Sequence, residues 1–195
     1  MLSYSTSVSV DGFIADRDGG IGWTAPSDEV FAAHLQRVRG LGVHLCGRRL
    51  YETMLPWETD ASLQTDSQTA EFARLWSALP KVVFSRTLTS VHGRARLADA
   101  PLATEIARAR AATDKDVEVG GATLAAHAVE LGLVDELQLF RIPVAVGTGI
   151  SLLPQLNRVV QFELISTTVF DSGVVHERYR CSGAGHMPAA GPAPA

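Results

Sequence analysis

The sequence predicts an α/β domain with a mostly parallel sheet, helices on both faces and an antiparallel hairpin at one edge. Over most of the 195 residues, short apolar runs typical of buried strands alternate with segments of helical periodicity. From Glu136 onward three strand-like segments follow one another, and Asp171-Ser172-Gly173 provides a hairpin turn between the last two. Strand–helix alternation produces parallel strands, and a terminal hairpin adds antiparallel ones.

Each element is predicted from its local pattern. Residues 2–10 alternate apolar side chains with small hydroxyls, as a strand with two different faces does. Glycines end the first helix, and short apolar runs indicate the strands that follow it. Further strands are predicted at 43–46, 81–84, 117–119, 136–146, 159–170 and 174–181. Helices are predicted at 28–39, 67–78 and 102–112. Two more helices are predicted, one that begins after Gly47 and ends at Thr53, and one that begins after Gly120-Gly121 and ends at about Leu131.

Composition favours a single domain, 1–181, followed by a tail. Segment 182–195 is dominated by small residues and prolines, which bury too little apolar surface to become ordered, so it is predicted to be disordered. The net charge of −4 and the lack of a basic block make nucleic acid or a membrane surface a poor partner. Two cysteines and scattered histidines predict neither a disulfide framework nor a metal site. Without a visible signal segment, a cytoplasmic location is expected.

Three predicted strands end in residues that suit an anionic ligand. Gly47 and Gly120-Gly121 each stand between a strand and a helix, where free backbone N–H groups bind phosphate. Ser85-Arg86 ends a third strand with a hydroxyl and a guanidinium. Ordinary tight turns would account for each junction alone. Because the carboxyl ends of parallel strands share one edge, the three junctions are expected to converge on one cleft.

A glycine-rich loop follows the first strand. It runs through Gly19, Gly20 and Gly22 to Trp23. A mobile loop with apolar tips could close over a flat ring, so residues 16–23 are a candidate lid. The alternative is a flexible surface loop that Trp23 anchors to the core.

Five segments in order resemble the dihydrofolate-reductase-like superfamily. The Ser-Val-Asp-Gly form of the first segment, and Ile142-Pro143-Val144 followed by Gly147, look most similar to the branch containing the riboflavin-pathway reductase domain. The resemblance covers about residues 2–181. Its segments are Ser7–Ala15, Gly47–Glu52, Phe84-Ser85-Arg86, Val119-Gly120-Gly121 and Val134–Gly149.

The resemblance implies a central eight-stranded sheet in three α/β/α layers, and NADPH as hydride donor. Ser7 and Ile14 would lie by the nicotinamide, and Ser85 and Arg86 by the 2′-phosphate. Gly20 of the loop would also contact the cofactor. The phosphates and the adenosine end would be held by Gly47, Arg48, Arg49, Leu50, Gly120, Gly121, Ala122, Thr123 and Leu124.

The same resemblance suggests a small heterocyclic substrate, similar to the phosphoribosylamino-pyrimidine of riboflavin biosynthesis. Asp28 or an ordered water is the candidate proton source, with Tyr51 as a weaker one. Asp28 is also a natural helix N-cap. The candidate substrate-binding residues are Asp11, Ile14, Trp23, Phe31 and Trp57.

Two departures argue against dihydrofolate as the substrate. Leu50 stands where dihydrofolate reductases usually have a phosphate-binding threonine, and Phe140 where they have a pterin-contacting one. A true dihydrofolate reductase and a nucleotide-binding module without turnover remain the alternatives. Relatives in the riboflavin branch pair through the end of the sheet, so a homodimer is expected through 136–146 and the final hairpin.

Overall fold

The structure, a computed structural model, describes residues 1–182. The strands are β1 (Leu2–Ser9), β2 (Phe13–Asp16), β3 (Leu41–Gly47), β4 (Lys81–Phe84), β5 (Ala95–Leu97), β6 (Asp116–Gly120), β7 (Glu136–Ile142), β8 (Gly149–Ser151), β9 (Gln161–Val169) and β10 (Val175–Ser182). The helices are α1 (Asp28–Arg39), α2 (Arg48–Met54), α3 (Pro56–Thr59), α4 (Ser67–Ala78), α5 (Leu102–Ala111) and α6 (Ala122–Glu130).

Eight strands form one sheet in the order β5-β4-β3-β6-β1-β7-β10-β9. All neighbours are parallel except β10, which runs antiparallel to both β7 and β9. Helices cover both faces, which confirms the predicted three-layer fold with its antiparallel hairpin. Strands β2 and β8 pair separately as a small two-stranded sheet. Within residues 1–182 the structure contains no helix that combines the length and apolar character of a membrane span.

Several boundaries differ from the sequence-based prediction. The strand expected at 136–146 ends at Ile142, because Pro143 has no N–H with which to continue a ladder. Ser182 belongs to β10 rather than to the expected tail, whose remaining residues, 183–195, lie outside the described part. Ser27, with an extended backbone, is the N-cap of α1, whereas Asp28 is already the first helical residue.

The two faces of the sheet are covered by different kinds of contact. Under α5 and α6 the core is apolar, with Leu2, Tyr4 and Val8 of β1 completely buried. Each such side chain contributes roughly 1.5–3 kcal/mol through burial. Under α1 and α4, by contrast, charged side chains lie among the apolar ones.

A buried carboxylate, Glu118 of β6, is the centre of this polar layer. It pairs with Arg37 of α1, and His44 Nε2 of β3 lies 3.4 Å from its Oε1. Burial alone would raise the pKa of Glu118, but the charge of Arg37 and the bonds from His44 and Arg37 more than offset this and hold it at about 2. A buried carboxylate with fixed partners ties α1 to the sheet, because removing either partner would leave an uncompensated charge.

Candidate functional site

The three strand ends singled out in the sequence meet at one corner of the sheet. Gly47 at the end of β3 lies directly opposite Phe84 at the end of β4, and Cys46 lies opposite Gly120 at the end of β6. Ser85 follows Phe84 immediately. The predicted convergence is therefore confirmed.

The three glycines of this corner have different physical roles. A Cβ on Gly120 would come within 2.3 Å of Leu50 Cδ2 and 3.0 Å of the His44 ring, so this glycine permits close packing. Gly121 has φ +91°, a backbone conformation that favours glycine. A Cβ on Gly47 would meet no atom within 4 Å. Gly47 therefore leaves open space at the corner.

Two helices begin beside this space. Gly47 precedes α2, and Gly121 is the N-cap of α6 without any side-chain capping bond. The Ala125 N–H donates to the Gly121 carbonyl, so the N–H groups of Ala122, Thr123 and Leu124 have no partner within the helix. Free N–H groups and the positive end of the helix dipole favour an anion here.

A groove of about 460 Å³ begins at the same corner and follows α6. Its volume lies within the range of small-molecule sites. The groove is lined by Gly47, Phe84, Thr123, Leu124, Ala126, His127, Glu130, Pro154, Gln155 and Asn157.

Arg48 and Ser85 are brought together by Thr87, which the sequence analysis missed. Arg48 Nη1 donates to Thr87 Oγ1 over 2.9 Å. Ser85 Oγ accepts the N–H groups of Thr87 and Leu88 over 3.1 and 2.9 Å. The sequence signal that could have identified Thr87 is its position two residues after Ser85, in a turn that follows a strand. The exposed side chains of Arg49 and Arg86 follow Arg48 and Ser85 in the chain.

Asp11 has its hydrogen bonds satisfied inside the protein. Ser9 Oγ donates to Asp11 Oδ1 over 2.6 Å, and the N–H groups of Gly147 and Val146 donate to the same carboxylate. These bonds, led by that of Ser9, lower the pKa of Asp11 to about 2. Asp11 thus joins the β1–β2 turn to the segment after β7. These bonds give Asp11 a structural role, and the substrate-binding role expected from the sequence stays a prediction.

The glycine-rich loop is closed by its own hydrogen bonds. Asp16 Oδ1 accepts the N–H groups of Asp18 and Gly20, and the Asp16 N–H donates to the Gly20 carbonyl. A Cβ on Gly20 would come within 2.6 Å of Asp16 Oδ2, so glycine suits the turn. Ile14, before this loop, is half-buried against the core of the α5–α6 face.

The aromatic candidates lie in three separate clusters. Trp23 packs with Val30 and Phe140. Phe31 and Trp57 have ring centroids 6.0 Å apart in a second cluster with Phe72.

Tyr51 belongs to the third cluster, with Cys46 and Val83. Its buried hydroxyl accepts the His92 N–H over 2.6 Å, which gives it a packing role. Asp28 is exposed at the start of α1. The structure therefore does not bring all the candidate substrate and catalytic residues together.

Two histidines beside Phe140 were missed. The His34 ring lies 4.1 Å from the Phe140 ring and the His176 ring 4.2 Å from it. Ser7 is the neighbour of Phe140 on β1. His34 follows Val30 by one helical turn, a spacing that could have predicted its inward position.

Comparison with known proteins gives one family and several similar folds. The chain is 28% identical over 180 residues to the uncharacterized protein YyaP of Bacillus subtilis (strain 168), covering 91% of this chain and 93% of that protein. A Shewanella sp. PV-4 protein assigned provisionally to riboflavin biosynthesis has a similar structure, with a TM-score of 0.72, 23% identity and coverage of 92% and 98%.

A third relative is larger than this chain. The Thermotoga maritima diaminohydroxyphosphoribosylaminopyrimidine deaminase/5-amino-6-(5-phosphoribosylamino)uracil reductase gives a TM-score of 0.66 at 15% identity. The match covers 93% of this chain but 56% of that one. These structures share the fold described above. The family model of the RibD C-terminal domain matches residues 1–176, and the chain therefore belongs to the RibD C-terminal domain family.

Proposed function

We propose that this protein is an NADPH-dependent reductase of a small heterocyclic substrate. The observation that carries the proposal is the corner where two helices begin beside the open space at Gly47. Membership of the RibD C-terminal domain family and the reductase named among its structural neighbours support the reaction class.

The residues at the corner fit the parts of a dinucleotide. The free N–H groups from Ala122 to Leu124 would hold the pyrophosphate. Arg48, with Ser85 placed beside it through Thr87, would hold the 2′-phosphate that distinguishes NADPH from NADH. The proposed cofactor site is completed by Ser7, Ile14, Gly20, Arg49, Leu50, Arg86, Gly120 and Gly121.

When bound, the cofactor would supply the hydride, and the protein would position the substrate and deliver a proton. The reacting rings are expected beyond the carboxyl end of β1. Ile14 packs against the apolar core of the α5–α6 face and Trp23 packs with Val30 and Phe140, and both are proposed to contact these rings. Asp28, or a water molecule ordered beside it, is the proposed proton source.

Two substitutions test the cofactor site by different routes. Gly47→Ala puts a methyl group where no protein atom lies, so stability should change by less than about 0.5 kcal/mol. Binding of both NADPH and NADH should nevertheless weaken, because the methyl occupies the space proposed for phosphate. Normal binding of both cofactors to a folded Gly47→Ala variant would contradict the proposed site.

Arg48→Ala should weaken NADPH binding by about 1.5–3 kcal/mol, the value of a charged hydrogen bond, and leave NADH binding almost unchanged. Arg74→Ala, an exposed arginine on α4, is the matched control. Fluorescence titration with both cofactors measures the effect. Equal losses for NADPH and NADH would refute the 2′-phosphate assignment. NADPH oxidation with a panel of pteridines, pyrimidines and quinones would then identify the substrate class.

A further inference from the structure

Arg48, the residue proposed to hold the 2′-phosphate, contacts two neighbouring side chains. Its Nη1 donates to Thr87 Oγ1 over 2.9 Å, and its Nε lies 3.5 Å from Glu52 Oε2. The side chains of Arg48 and Glu52 are both about half exposed, so a ligand in solvent can reach the pair. Because a guanidinium has five N–H donors, these two partners leave donors free for a phosphate.

Helix stability does not explain the charges of α2. Arg48 and Arg49 begin this helix, and Glu52 lies in its last turn. A helix favours negative charge at its beginning and positive charge at its end, so all three charges stand at the unfavourable end. An acidic residue four positions after a basic one is also the weaker orientation of such an ion pair. These charges therefore indicate a requirement other than the stability of the helix.

The hydroxyls beside Arg48 provide further donors. Ser85 Oγ accepts the N–H groups of Thr87 and Leu88, and Thr87 Oγ1 accepts from Arg48. The two hydroxyl oxygens lie 3.4 Å apart, and whichever donates to the other, the hydrogen of the second hydroxyl stays available. Donors of this kind suit the oxygens of a phosphate. Glu52 differs from them, because an ionised carboxylate only accepts hydrogen bonds.

We propose that Glu52 determines how strongly the protein prefers NADPH over NADH. A phosphate oxygen bonded to Arg48 would lie within roughly 7 Å of the Glu52 carboxylate, less than the screening length of about 8 Å at physiological salt. The negative charge of Glu52 therefore opposes the 2′-phosphate of NADPH and competes with it for Arg48. The ribose 2′-hydroxyl of NADH, by contrast, can donate to a carboxylate.

Thr87 acts in the opposite direction to Glu52. Its hydroxyl holds the Arg48 guanidinium on the side of Ser85, where the 2′-phosphate is proposed to bind. Glu52 thus reduces the preference for NADPH, whereas Thr87 increases it by positioning Arg48. This inference rests on the proposed reductase function and concerns the choice of cofactor at the same site.

Fluorescence titration of Glu52→Gln with NADPH and with NADH tests the inference. NADPH should bind about threefold more tightly and NADH about threefold more weakly, the scale of an exposed charge interaction, so the ratio of the two dissociation constants should change about tenfold. The gain for NADPH should shrink between about 0.05 M and about 0.5 M salt, because salt screens exposed charges. Glu71→Gln is the matched control. It removes the same charge from a carboxylate paired with Arg39 outside the corner, and the ratio should stay within about twofold.

Two substitutions of Thr87 test the opposing contact. Thr87→Ala removes the hydroxyl that holds Arg48, so NADPH binding should weaken about fivefold while NADH binding stays within about twofold. Thr87→Ser keeps the hydroxyl and should restore the wild-type affinity for NADPH. In a Glu52→Gln background Thr87→Ala should have a smaller effect, because the carboxylate that competes for Arg48 is then absent.

The outcomes separate this inference from the proposed function. If Glu52→Gln binds NADPH as the wild type does, or changes the affinities for both cofactors equally, the inference is wrong and the proposed reductase function stands. A Thr87→Ser variant as weak as Thr87→Ala would contradict the positioning of Arg48. If the wild-type protein binds neither dinucleotide, the proposed function fails together with the inference. Glu52 and Thr87 are exposed, so all these variants should fold, which circular dichroism checks.

Discussion

His34 provides a quantitative test of the layer between α1 and the sheet. Burial, assisted by the charge of Arg37, lowers the pKa of His34 to about 3, whereas an unfolded histidine has a pKa near 6.5. As the pH falls from 6.5 towards 3, the unfolded chain therefore binds a proton that the folded protein does not. Stability must decrease over this interval. Between pH 7 and pH 5 this one group should cost about 2 kcal/mol of unfolding free energy.

The assay is urea unfolding at pH 7 and at pH 5. His34→Gln removes the titrating group, so the variant should lose about 2 kcal/mol less than the wild-type protein between the two pH values. A smaller decrease should remain, because burial also lowers the pKa of His176. His92→Gln removes an exposed histidine and should show the wild-type decrease. Equal decreases in His34→Gln and the wild type would refute the burial of a neutral His34.

Three further predictions concern other parts of the molecule. Gly120→Ala should destabilise the fold by about 1–3 kcal/mol in urea unfolding, because its Cβ would collide with Leu50; a neutral effect would contradict this packing. NADPH should slow hydrogen exchange in residues 16–23, whereas full protection without ligand would exclude a lid. Leu164 and Val169 of β9 are 54% and 69% exposed, so we expect a homodimer that buries at least ~1,000 Å² in total through 136–146 and the final hairpin. Light scattering should then give the mass of two chains. A mass of 20.8 kDa, unchanged on tenfold concentration, would rule this out.

The long elements could be predicted because their own sequences specify them. Helices α1 and α4 begin and end where periodicity and stop residues place them, and the parallel direction of most strands follows from strand–helix alternation, whereas their order in the sheet was not predicted. Strands β2, β5 and β8 and helix α3 were missed. They contain only three or four residues, too few to show a period, and the strands depend on pairing with distant segments.

The candidate site could be predicted where it depends on the ends of strands, but not where it depends on how helices and the last hairpin pack. Gly47 and Gly120 could be placed together because the ends of parallel strands share an edge. The relation between Tyr51, Trp57 and Trp23 could not, because it depends on where α2 and α3 lie relative to the sheet. The packing of both His34 and His176 against Phe140 likewise requires the rotation of α1 and the register of the last hairpin.

The residue pattern of strand β1 predicts a different environment from the one that the strand has in the fold. Alternating apolar residues and serines are typical of a strand with one face in water, yet β1 is central and covered on both faces. Ser3 and Ser9 are almost completely buried, on the face that packs against α1. Central parallel strands are usually apolar on both sides, so these serines give up packing and leave small polar groups under the helix. A sequence departs from the best local solution mainly where another requirement outweighs packing, and for Ser9 that requirement is visible, because its hydroxyl donates to Asp11 and accepts the Phe13 N–H.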